Sequence, residues 1–129
     1  MMHRVLCDTC ALIWLTAGST KLSRSARAAI RDAKLLCFSA ISIWEIARKV
    51  KVGELEIPVS PTLFADMIVK QYGMKELPLD NAVMIRASSL PEIHKDPADR
   101  FIIATAFLND CVVATGDRRF QEYGVEVIA

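Results

Sequence analysis

Five short apolar runs, "HRVLC", "LLCFS", "KELPL", "CVVAT" and "VEVIA", recur along the chain with longer stretches of helical spacing between them. No other feature restricts the fold as much. Strands that are apolar at successive positions are covered on both faces, and strands joined through helices pair in parallel, because each crossover returns the chain to the same end of the sheet. The expected class is α/β, a three-layer α/β/α sandwich around a mainly parallel sheet of four to five strands. A chain of 129 residues has room for one domain, spanning 1–129, and none for a second.

The helical stretches carry their own punctuation. "TCALIWLTA" begins directly after Asp8, and in "SRSARAAIRDAK" either Ser23 or Ser25 is the N-cap, with Ala26, Ala29 and Ile30 on one face. Residues 40–52, "AISIWEIARKVKV", close at Gly53. "SPTLFADMIVKQYG" opens on Ser60 with Pro61 at the first helical position, and Asp80 or Asn81 caps "NAVMIRASSL". Asp96 and Pro97 open "RFIIATAFLND" in the same manner, and "DRRFQEYG" is expected as a short helix.

Composition removes several classes of function. Apolar residues make up 53% of the chain and Gly and Pro are scarce, which excludes a disordered or low-complexity protein. A net charge of +1 gives no overall basic field, so a polyanion must meet a local patch. The start, "MMHRVLCDTCALIWLTAG", has the ingredients of a signal peptide, but Asp8 interrupts its apolar run, and nowhere are there about 18 uninterrupted apolar residues. A cytoplasmic protein without a membrane segment is expected.

Cys7, Cys37 and Cys111 lie in apolar runs, where a reduced thiol packs as a small core residue, so disulfides are not expected. Cys7 and Cys10 do have C-x-x-C spacing, which keeps a thiol redox protein as an alternative. Zinc is disfavoured because no second such pair exists and His3 and His94 are isolated. Trp14 and Trp44 fall in apolar helical patterns and are expected in the core.

The acids are the informative residues. In open parallel sheets, functional groups gather beyond the carboxyl ends of the strands, at the point where strand order reverses. Asp8 follows the first strand, Asp117 follows the fourth just past Thr115, Asp99 lies in the first turn of the helix feeding that fourth strand, and Glu45 lies in the helix after the second. If the first and fourth strands are neighbours, these four carboxylates converge. At about 5 Å and an effective dielectric near 20, each pair repels by about 3 kcal/mol, and all six pairs by about 20 kcal/mol, more than the roughly 5–15 kcal/mol that holds a domain folded. Either some acids stay protonated or a cation sits among them. All-oxygen donors favour Mg²⁺ or Mn²⁺, and such an ion suits phosphodiester hydrolysis. Arg48, Lys49, Lys51, Arg118 and Arg119 flank two of the acids and could neutralise substrate phosphates at the rim, the bland reading for each being a solvated basic face. The bland readings are an N-cap for Asp96, a dipole-favoured helix start for Asp99, an i,i+4 pair with Lys49 for Glu45 and a turn for Asp117.

The segments "VLCDTCALIWL", "FSAISIWEIARKVKVGELEIP", "LPLD", "HKDPADRFIIATAF" and "VVATGDRRFQEYGVEVI" closely resemble, in order and nearly end to end, the PIN-domain ribonuclease toxins of the VapC type. The resemblance implies a magnesium-dependent endoribonuclease that inhibits translation by cutting a structured RNA such as tRNA or rRNA. A small antitoxin would neutralise it, and a homodimer is expected. The family's four acids fall on Asp8, Glu45, Asp99 and Asp117, selecting Asp99 over Asp96. By the same resemblance Asp8 and Asp99 are the direct metal ligands, Glu45 and Asp117 act through water, and Thr9, Ser39 and Thr115 support the site. Ala98 stands where many relatives carry a bulky aromatic, and Cys10 is not required by the pattern, which is consistent with a packing role. A PIN-like module that binds metal and RNA without turnover remains the non-enzymatic alternative. Receiver and haloacid-dehalogenase-like folds also place Asp after a first strand, but the latter need a second Asp where this chain has Cys10.

Overall fold

The computed structural model describes residues 3–93 and 95–129. His94, one of the two isolated imidazoles, lies outside the described residues. Five strands, β1 (Arg4–Cys7), β2 (Leu35–Ser39), β3 (Lys75–Leu77), β4 (Val112–Ala114) and β5 (Val127–Ile128), form one parallel sheet in the order β3-β2-β1-β4-β5. The chain builds outward from β1 to β3 and then crosses back to lay β4 on the other side of β1. Leu6 sits opposite Cys37 and Val113, and Cys7 opposite Phe38 and Ala114. The first and fourth strands are therefore neighbours, and the reversal of strand order falls between them.

Side chains alternate across this sheet with the strand period of two. Leu6, Cys37 and Val113 pack with Val83 and Ala87 of α5 (Asn81–Ser89), with Ile102 and Ile103 of α6 (Pro97–Leu108), and with Phe120. Val5, Cys7, Phe38 and Ala114 face the other way, onto α1 (Thr9–Ala17), α2 (Arg24–Arg31), α3 (Ala40–Lys51) and α4 (Pro61–Lys70) through Leu12, Ile30, Ile46, Phe64 and Ile68. Two apolar layers with the sheet between them make the expected α/β/α sandwich. Among the described residues no helix is long and apolar enough to cross a membrane.

The caps follow side-chain chemistry. Ser23, not Ser25, accepts from the Ala26 N–H at the start of α2, and Asp80, not Asn81, accepts from the Val83 N–H at the start of α5. Ser60 with Pro61 opens α4, Asp96 with Pro97 opens α6, and Gly53 takes the left-handed conformation (φ 78°) just beyond α3. "DRRFQEYG" forms a 3₁₀ segment over Arg118–Tyr123 rather than an α-helix. Six residues between the Asp117 cap and the left-handed Gly124 leave little length for i→i+4 bonding.

Two expectations change. Trp44 is 58% exposed, because α3 turns Ser42 and Ile46 inward and leaves the indole outside. Cys7, Cys37 and Cys111 are buried free thiols as expected, but Cys10 is exposed on the first turn of α1 instead of packing in the core.

Arg100 has a structural role that the sequence did not suggest. From α6 its guanidinium donates to the carbonyls of Pro91 (2.8 Å), Ala87 (2.9 Å) and Leu90 (2.9 Å), so it closes the C-terminal end of α5 and ties that end to α6. The side chain is only 13% exposed. Bonds from a charged donor are stronger than neutral ones, and of the three carbonyls Ala87 also accepts a longer bond from the Leu90 N–H at 3.4 Å. Arg100→Met, which keeps most of the apolar stem, is expected to cost about 2 kcal/mol in urea unfolding. A loss below about 0.5 kcal/mol would show that water replaces the guanidinium without penalty.

Candidate active site

Because β1 and β4 pair in register through Cys7 and Ala114, the next residues, Asp8 and Thr115, emerge side by side at the carboxyl end of the sheet. The Asp8 N–H donates to the Ala114 carbonyl (3.1 Å), which extends the pairing by one step. Asp8 is 5% exposed. Its Oδ1 accepts from the Ala11 N–H at 2.8 Å, capping α1, and its Oδ2 accepts from the Thr115 hydroxyl. The same hydroxyl accepts from the Asp117 N–H at 3.0 Å, so Thr115 ties the first acid to the loop of the fourth. Gly116 between them lies against Trp14. A Cβ there would stand 2.8 Å and 2.9 Å from two atoms of the indole ring, so any larger residue must displace the ring or the loop.

Glu45 projects from α3 and is half-buried. Its Oε1 accepts from the buried Thr9 hydroxyl, which exchanges a second bond of 2.9 Å with Ser42 Oγ. Ser42, fully buried, is a member of the site that the sequence reading missed, although its place three residues before Glu45 puts it one turn away on the same helix face. Ser39 has a different position from the other two supporting residues: it caps α3, accepting from the Ile41 N–H at 3.2 Å. Asp99 stands half-buried in the first turn of α6, three residues after the cap, Asp96.

These acids lie close enough to act on one another's charge. Burial is the largest influence on Asp8 and lifts its pKa to about 6 against the opposing hydrogen bonds of Thr115 and Ala11, with Glu45 and Asp117 adding repulsion. Asp99 is lifted to about 7, again first by burial, then by Asp96, Glu45, Asp8 and Asp117. Glu45 is also raised, by burial and Asp96, against the Thr9 bond and the Lys49 ammonium. Asp96 thus does more than cap: its charge acts on both Asp99 and Glu45. Four carboxylates and this fifth at the rim form one mutually repelling set.

The cations are less uniform than the sequence suggested. Arg119 folds back on Asp117, with Nη2 2.7 Å from Oδ2 and Nε 3.0 Å from Oδ1, while its own backbone N–H donates to Oδ1 at 2.9 Å. Asp117 is therefore held by Arg119, which is a site partner in this state rather than an outward contact. Lys49 lies near enough to lower the Glu45 pKa, Arg48 stands 5.9 Å from the Trp44 ring centroid, and Arg118 is exposed.

Among the described residues, no three His, Cys, Asp or Glu side chains stand together at ligating distance. The donor set fits a hard ion bound directly through one or two carboxylates, the usual manner of magnesium. A cation would relieve the repulsion that now raises Asp8, Glu45 and Asp99.

Residues 5–126 match the PIN domain family model. The chain is 28% identical over 123 residues to Ribonuclease VapC22 of Mycobacterium tuberculosis (strain ATCC 25618 / H37Rv), covering 95% of this chain and 93% of that protein. Its fold resembles the crystal structure of FitAcB from Neisseria gonorrhoeae, with TM-score 0.67 and 21% identity over 97% of this chain and 96% of the other. It also resembles DNA-bound VapBC from Salmonella typhimurium, with TM-score 0.65 and 16% identity over 98% of each chain. With the acids gathered where strand order reverses and the family model spanning nearly the whole length, the chain belongs to the PIN-domain family.

Proposed function

We propose that this protein is a divalent-metal-dependent endoribonuclease and the toxin of a toxin–antitoxin pair. The observation that carries the reading is the placement of Asp8 and Asp117 beyond neighbouring central strands, tied through Thr115, with burial first and nearby acids second raising Asp8, Glu45 and Asp99. Asp8 and Asp99 would hold Mg²⁺ or Mn²⁺ directly, and Glu45 and Asp117 would act through water. Such an ion, when bound, polarises a phosphoryl oxygen and lowers the pKa of a water.

The chain's own residues supply orientation. Thr115 and the Ala11 N–H fix both oxygens of Asp8, and Thr9, backed by Ser42, fixes one oxygen of Glu45. Arg119 must release Asp117 for that acid to turn inward. The Arg119 side chain is itself exposed, so water can take its place when it lets go.

Similarity to a protein named as a ribonuclease supports RNA as substrate, and fold neighbours solved as toxin–antitoxin complexes support a small antitoxin partner that covers the crevice. The reading includes inhibition of translation by cutting tRNA or rRNA, a homodimer and a cytoplasmic location. The C-x-x-C alternative loses ground, because burial and the neighbouring Asp8 push the Cys7 thiol up, opposite to what a reactive thiolate requires.

Purified protein is expected to cut RNA in Mg²⁺ or Mn²⁺ and to stop when EDTA is added. Calorimetry that detects Mg²⁺ binding while every RNA stays whole would favour the binding module without turnover.

A further inference from the structure

Trp44 and Glu45 form a ridge shared by two grooves of opposite character. On one side, Ile41, Pro97, Ala98 and Phe101 line an apolar groove of about 390 Å³, with the carboxylates of Glu45 and Asp96 as its polar edge. On the other, Arg48 and Lys49 line a groove of about 270 Å³ with Val52 and Glu54. The indole between them is 58% exposed, and the Arg48 guanidinium stands 5.9 Å from its centroid.

A nucleotide has the same two halves, a flat apolar base with amine donors on its edge and an anionic phosphate. Single-stranded nucleic acid is held by aromatic faces beside a basic track, and exposed bases stack on aromatic and guanidinium planes. Acidic groups at the groove's edge accept from exocyclic amines, while Arg48 and Lys49 suit a phosphate. Glu45 belongs to both the carboxylate crevice and the apolar groove, so a chain whose phosphate lies at the crevice has its next base at the groove.

We propose that Trp44 is a stacking platform for the base beside the scissile phosphodiester and so a specificity-determining residue of this site. The inference rests on the ribonuclease reading and adds a base-contacting residue to it.

Cleavage of an unpaired oligoribonucleotide and of oligonucleotides abasic on the 5′ or 3′ side of the cut tests it. Trp44→Ala should lower kcat/KM on the intact strand by about 5- to 100-fold, mainly through KM. Trp44→Phe should retain most of the activity. One of the abasic substrates should be cut equally slowly by wild type and Trp44→Ala, because the base that stacks is already missing. An unchanged thermal midpoint verifies that these exposed-site variants are folded.

An active wild type whose Trp44→Ala variant cuts intact RNA equally well overturns the inference and leaves the function standing. So does a Trp44→Ala variant that cuts normally but releases a co-expressed protein, since the groove would then belong to that protein. If wild type leaves all RNA intact in both metals, the functional reading fails. Fluorescence then decides the stacking: unpaired RNA must quench wild type and not Trp44→Phe, which retains Trp14, or the inference falls as well.

Discussion

Replacing Asp8 by Asn is expected to reduce metal-dependent RNA cleavage by more than about 100-fold while making the metal-free protein more stable. Loss of groups that merely orient a metal ligand already costs about 10- to 100-fold, so loss of a direct ligand's charge sets that range as a floor. The stability effect runs the other way because Asp8 is buried with its pKa raised to about 6, against 3.8 for the ordinary group. Keeping it ionised at pH 7.5 costs the folded state about 3 kcal/mol. Asn removes that cost and is an equally good N-cap, so it can keep the bond from the Ala11 N–H. It offers one acceptor where the carboxylate has two, and the Thr115 hydroxyl must find another arrangement, a loss of about 1 kcal/mol. The net gain is about 1–2 kcal/mol in EDTA, read as a shift of the urea midpoint at unchanged slope. An Asp8→Asn protein that still cuts RNA removes Asp8 from the site; one that is inactive but no more stable refutes the cost of holding this buried carboxylate ionised.

The contrast between these outcomes bears on what the sequence could disclose. Asp8 was legible because a lone acid between apolar runs has no inexpensive place in a core, and the caps at Ser60 and Asp96 were legible because their chemistry is local. Strand order was not, since nothing in a run of five apolar residues names its neighbour. The convergence of Asp8 with Asp117 depended on it, through the pairing of Cys7 with Ala114. Trp44 was misread for a related reason. The run "AISIWEIA" is apolar nearly all round, and periodicity alone does not say which of Trp44 and Ile46 faces the sheet. Arg100 and Arg119 were invisible as partners because long side chains choose among acceptors only once the backbone is folded: one closes α5, the other holds Asp117. Asp96 was read correctly as a cap, but its action on Asp99 and Glu45 is a property of the assembled crevice.

Because burial, reinforced by neighbouring acids, raises these carboxyls, the metal-free protein must lose stability as pH rises through the range where they ionise. Asp8 and Asp99 have folded-state pKa values of about 6 and about 7, both above the ordinary 3.8. Well below pH 3.8 both groups are neutral in either state and contribute no penalty. Between that point and about pH 7 the folded protein holds more protons than the unfolded chain, so its stability falls with pH. Asp8 accounts for about 3 kcal/mol of this fall, complete once pH exceeds its folded value. Asp99 is more exposed, and solvent screening makes its share smaller than its shift suggests. Urea unfolding in EDTA should therefore give a higher midpoint at pH 5 than at pH 7.5. The Asp8→Asn protein should keep only the shallower slope that Asp99 and Glu45 leave. Millimolar Mg²⁺ at pH 7.5 should recover stability in wild type, because an ion that binds only the folded state adds RT ln(1 + [Mg²⁺]/Kd), and should recover much less in the variant. Midpoints that stay level or rise from pH 5 to pH 7.5 in EDTA contradict the burial and crowding that raise these acids, even in a protein that cuts RNA.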